Sequence, residues 1–146
     1  MKYVFKSQDT IFYRFPTHSV DLLLDRADAN TSEVFMVVLN PGEAPPLHKH
    51  SDTEQIFYVI EGEGMLYIGD SDDGRKVMPG DLMRIPPNTI HSVHCHGDAV
   101  LRYLAVDCFM GGRPKNEPTW EEHLKVVCKE QGWDFSKINL RKERKF

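Results

Sequence analysis

The sequence predicts a mainly β, antiparallel fold, a barrel or sandwich, finished by a short C-terminal helix. Three observations predict it. Short β-branched and aromatic runs fill residues 33–107, turns rich in Gly and Pro separate them at near-regular spacing, and one stretch, residues 119–131, reads clearly as helix.

The elements follow in chain order. Residues 10–15 and 20–24 have strand character, and residues 34–39 form a run that stops at Asn40-Pro41-Gly42. Residues 56–60 end at Glu61-Gly62-Glu63-Gly64, and residues 65–68 end in the polar loop 69–74. Val77-Met78 leads into Pro79-Gly80-Asp81, followed by residues 82–85 and the turn Pro86-Pro87-Asn88. Residues 91–95 and 99–106 complete the strands. For the helix, Thr119 can cap, Glu122 sits where a capping box needs it, and Gly132 offers the stop. Leu124, Val127 and Cys128 then share one face, enough to dock on the barrel.

The whole chain, 1–146, reads as a single domain: a core at about 33–107, N-terminal strands in 1–32 and a C-terminal extension with the helix in 108–146. That length supports a hydrophobic core without disulfides, and 40% hydrophobic with 27% charged residues is ordinary for a globular protein. A net charge of -4 gives no reason to expect nucleic acid. The cations Arg141, Lys142, Arg144 and Lys145 read as a solvated tail. No apolar run is long enough to span a membrane, and no secretory leader is evident. Cys95, Cys108 and Cys128 form no CxxC pair, so reduced thiols and a cytoplasmic setting are expected.

His48 and His50 stand at i and i+2, and on an extended chain both imidazoles point to one side. Neutral imidazole is a common ligand for transition metals, and His91 in a later strand offers a third. Cys95, four residues after His91, should also face inward, more as a small buried hydrophobe than as a thiolate. His94 and His96 have the opposite parity, and His18 and His123 are assigned no role. Tyr58, Tyr67, Tyr103 and Arg102 carry polar tips on strands and are pocket candidates, as are Phe57 and Cys95; core packing is the competing role for each.

Two motifs carry a family resemblance. Gly42, His48, His50 and Gly62 fit Gly, five residues, His-x-His, then a strand closing on Gly; Gly80, Pro86 and His91 fit a second motif. Asn88 replaces its usual Gly, and Cys95 its usual Asn. Over residues 42–97 the chain resembles the cupin superfamily, a small single-domain cupin. The resemblance implies a double-stranded β-helix (jelly-roll) barrel holding one divalent ion (Fe, Mn, Zn, Ni or Cu) through His48, His50, His91 and a fourth ligand.

Family spacing counted back from Gly62 reaches Gln55, not a glutamate, while the shorter gap after His50 reaches Glu54. Adjacent strand residues face opposite sides, and both faces are apolar, so alternation does not decide. Downstream register favours Gln55, with Glu54 the alternative. A neutral Gln would leave the ion more electrophilic. The expected function is a metal-dependent enzyme on a small polar or anionic molecule: oxygenase, isomerase, decarboxylase or lyase, or cyclase. The alternative is a non-catalytic module binding a carboxylate or sugar. A homodimer is expected, because barrel edges need cover.

Overall fold

The computed structural model describes residues 1–69 and 72–140. The basic cluster at Arg141–Lys145 lies outside the described residues, as do two positions of the expected loop 69–74. Among the described residues, ten strands form two antiparallel sheets. They are β1 (Ile11–Arg14), β2 (Ser19–Leu24), β3 (Ser32–Leu39), β4 (Thr53–Glu61) and β5 (Gly64–Ile68), then β6 (Arg75–Val77), β7 (Leu82–Ile85), β8 (His91–Cys95), β9 (Leu101–Phe109) and β10 (Asn139–Leu140). The larger sheet has the order β10-β1-β2-β3-β9-β4-β7 and the smaller β6-β5-β8. The predicted mainly β jelly-roll barrel with its C-terminal helix is what the chain forms. The short strand β10, which pairs with β1, carries no pattern that the sequence reading detected.

Strict alternation on β3 and β9 builds the inner wall of the barrel. Phe35, Val37 and Leu39 point inward from β3, and Leu101, Tyr103 and Ala105 from β9. Full burial of a side chain such as Leu39 or Leu101 contributes roughly 1.5–3 kcal/mol. The same parity sends Glu33 and Asp107 inward as Cα partners, and Asp107 pairs with Gln55 of β4 on its other side. Arg26 answers this acidic row with a two-pronged ion pair to Glu33, at 2.8 and 2.9 Å, with side chains 3% and 0% exposed.

Two turns depend on backbone freedom. Gly62 has φ +81°, and a Cβ there would lie 2.2 Å from the Val100 carbonyl oxygen, so nothing larger fits. Asn88 sits at φ 57°, in the left-handed region, which explains how it stands in for glycine.

The helix α1 (Trp120–Gln131) begins where expected. Thr119 Oγ1 accepts from Glu122 N at 3.1 Å, and Gly132 closes the helix in the left-handed conformation. Trp120, Leu124 and Cys128 are its buried face, laid against the barrel core. Asp25 Oδ1 accepts from Trp120 N, and Arg26 donates to the Glu117 carbonyl, so the start of the helix is tied to the β2–β3 connection.

Candidate metal centre

His48 and His50 lie in the β3–β4 connection rather than in a strand. The segment is nevertheless held straight against β8. Backbone bonds join Gly42 to Cys95, Cys95 to Glu43, and His48 to His91 in both directions, while Asn88 N donates to the His50 carbonyl at 2.7 Å. Arg14 grips the Glu43 carboxylate with both guanidinium nitrogens and anchors the start of the segment. The ring centres of His48 and His91 lie 4.4 Å apart, and those of His48 and His50 5.0 Å apart.

Backbone carbonyls set two of the ring tautomers. Only a protonated nitrogen can face a carbonyl, so His48 Nδ1 donates to Pro46 O at 2.6 Å and His91 Nδ1 to Thr89 O at 2.9 Å. Each Nε2 then carries its lone pair, the arrangement that metal-ligating histidines use. Burial holds all three rings below the ordinary imidazole range, His50 to about 3 and His91 to about 4, so they are neutral at pH 7. His91, 2% exposed, leaves Nε2 without a hydrogen-bond partner among the described residues.

Gln55 presents the second buried atom of this kind. Its Nε2 donates to Asp107 Oδ1 at 2.8 Å, which orients the amide and leaves Oε1 buried without a partner. Burial and the neighbouring Glu33 push the Asp107 carboxyl well above the usual carboxylate range. Glu54 faces the other side of β4, where its carboxylate pairs with Arg84 at 2.8 Å. The donor set therefore suits a transition metal: three neutral imidazoles and an amide oxygen. Among the described residues, no three His, Cys, Asp or Glu side chains stand in ready coordination geometry.

A cavity of about 420 Å³ opens beside this cluster, lined by His48, His50 and Gln55 and roofed by α1. Phe57 and Tyr103, both pocket candidates, line it, their rings 5.0 Å apart. The other four candidates do not. Tyr58 has the parity of Glu54 and is 44% exposed on the outer face of β4. Arg102 likewise points outward and pairs with Glu61. Tyr67 turns to the surface histidines His94 and His96. Cys95 is inward but donates to the Ala99 carbonyl, away from the cavity.

Residues given no role in the sequence reading do reach the cavity. His18 stacks on Phe15 at 4.7 Å and lines the wall, held neutral by burial at about 3. From α1 and the approach to it come Glu117, Trp120 and His123. His123 Nδ1 lies 2.8 Å from Glu117 Oε1, and its ring is 6.4 Å from that of His50. The hydrogen bond from His123 lowers the Glu117 carboxyl below the usual range. Helix periodicity carried one usable signal: His123 follows Trp120 by three positions, so both share the side that meets the barrel.

Comparison with known proteins bears on the fold and family. A tobacco (Nicotiana tabacum) auxin-binding protein, T85, is 32% identical over 45% of this chain and 39% of its own length. An oxalate-binding protein of Thermotoga maritima is 33% identical over 58% of this chain and 69% of its own. The chain spans about half or less of the first curated relatives it matches. The polyketide cyclase RemF of Streptomyces resistomycificus superposes with a TM-score of 0.64 at 26% identity, covering 78% of this chain and 82% of that one. The model of the cupin domain matches residues 35–107, half of the sequence. With the two-sheet barrel and both motifs in place, the chain belongs to the cupin family.

Proposed function

We propose that this cupin is a metal-dependent enzyme acting on a small organic molecule in the cavity under α1, with one divalent transition-metal ion held by His48, His50, His91 and Gln55. The observation that carries the reading is the pair of buried atoms without partners, His91 Nε2 and Gln55 Oε1, each fixed by a hydrogen bond on its far side. When bound, such an ion supplies Lewis-acid polarisation at an open position. The chain's own residues orient and exclude water: Phe57 and Tyr103 wall the cavity, and Trp120 and Leu124 close it from the helix side. Glu117 fixes the His123 ring on the helix side of the cavity, in the position of a general acid or base. The curated relatives named for binding auxin and oxalate favour a second reading, a non-catalytic binding module. The His123–Glu117 pair favours the enzymatic reading, since grip alone requires no acid–base group held beside the histidines.

Gln55→Ala should weaken metal binding by about 10-fold or more, in line with the roughly 10–100-fold cost of disturbing even an outer-shell partner. Glu54→Ala should leave metal binding unchanged, because it removes only a surface ion pair. Competition against a chelating dye reads both variants, and the reverse ranking would transfer the fourth position to Glu54.

The three cysteines are unpaired, which supports a reducing, cytoplasmic setting. Among the described residues no helix is long and apolar enough to cross a membrane. The homodimer reading is supported by the outer face of β4 and β7, where Tyr58, Ile60 and Leu82 are exposed. Sedimentation should show a dimer that Leu82→Glu shifts toward monomer. A single wild-type species at monomer mass would overturn that reading.

A further inference from the structure

We propose that Asp107 is the positioning residue of the candidate metal centre: by accepting a hydrogen bond from position 55 it selects an amide there over a carboxylate and leaves the amide oxygen free as the ligand atom. The consequence for the ion rests on the metal reading above. The match of donor to acceptor between residues 55 and 107 does not.

The match is visible in the ladder. Gln55 and Asp107 are Cα partners on β4 and β9, and Gln55 Nε2 donates to Asp107 Oδ1 at 2.8 Å. The two ends of an amide have nearly the same shape, so packing does not choose between them. An acceptor does, because only the nitrogen carries hydrogens. Gln55 Oε1 is then left buried with no hydrogen-bond partner among the described residues.

The direction of the row is fixed at its far end. A guanidinium only donates, and all three Arg26 nitrogens are engaged, two by Glu33 and one by the Glu117 carbonyl. Glu33, the Cα partner of Asp107 on β3, therefore accepts. Whether or not a proton lies between the Glu33 and Asp107 carboxyls, the Asp107 oxygen turned to Gln55 is an acceptor. A glutamate at position 55 has the same shape as glutamine and no hydrogen to offer. It would set a third acid beside two that are already buried, with the nitrogens of Arg26 spent elsewhere.

Unfolding of metal-free, full-length protein at pH 7 reads the match without an ion. Gln55→Glu should lower Tm by roughly 4 °C or more. The drop should be much smaller in an Asp107→Ala background, where the acceptor is gone. An unchanged Tm, or an equal drop in both backgrounds, would overturn the inference. Should Asp107→Ala not fold, Asp107→Val, apolar and suited to a strand, provides the same background.

Competition for zinc against a chelating dye reads the positioning. Asp107→Ala should weaken binding by about 10-fold or more, as loss of an outer-shell partner does. Asp107→Asn, whose amide oxygen can still accept from Gln55, should keep the wild-type affinity. That rescue separates orientation of the amide from mere damage to the strand, and equal losses in the Ala and Asn variants count against positioning. If Gln55→Ala weakens zinc binding and Asp107→Ala does not, this inference alone falls. If Gln55→Ala binds zinc like the wild type, the fourth-ligand reading falls and the unfolding comparison still decides the match.

Discussion

Metal analysis of His48→Ala, His50→Ala and His91→Ala protein should find each variant stripped of the ion that the wild type retains. The loss should exceed the roughly 10–100-fold that removal of an outer-shell partner costs, because each substitution deletes a ligand outright. Thermal unfolding provides an independent readout. An ion that binds only folded chain stabilises it by about 2.7 kcal/mol at a free concentration one hundred times its Kd. Zinc should therefore raise the wild-type Tm and leave the three variants unmoved. The rings are buried and neutral, so their truncation leaves no uncompensated charge to confuse that comparison. Any variant that kept full stoichiometry would lose its place among the ligands.

The largest effect on stability belongs to the buried charges. Arg26→Met should destabilise the fold by about 3–5 kcal/mol, the range for breaking a buried pair from one side. Glu33 is 0% exposed, and without Arg26 its carboxylate is left beside the Asp107 carboxyl of the adjacent strand. Urea unfolding measures the loss. Replacing both partners, Arg26→Met with Glu33→Leu, should recover most of it, since a well-packed apolar pair is often neutral in such positions. A single substitution costing under about 1 kcal/mol would show that water reaches the pair.

The strands were legible because turn chemistry and β-branched runs are local signals, and eight of the ten described strands appear close to their expected positions, with β6 marked only by Val77 at its end. β10 was not, since Asn139-Leu140 is two residues long and owes its state to β1. Gln55 against Glu54 was undecidable from alternation for a concrete reason. The outer face of β4 is itself apolar, with Ile56, Tyr58 and Ile60 on the side of Glu54. The ladder Glu33–Asp107–Gln55 puts the Gln55 side chain on the inner face of β4, but it joins three strands far apart in sequence. His123 and Glu117 escaped for a similar reason. Nothing local says which end of a barrel a terminal helix will cover.

That helix lies outside the stretch shared with the family, which ends at residue 107. The histidine-bearing floor and the aromatic roof of the cavity are thus contributed by separate stretches of one chain, joined through Asp25, Arg26 and the Thr119 cap. A lineage can exchange the roof while inheriting the floor, and change what it recognises without disturbing what it coordinates. Chimeras that splice C-terminal segments after Phe109 are the natural units for redesigning selectivity in this barrel.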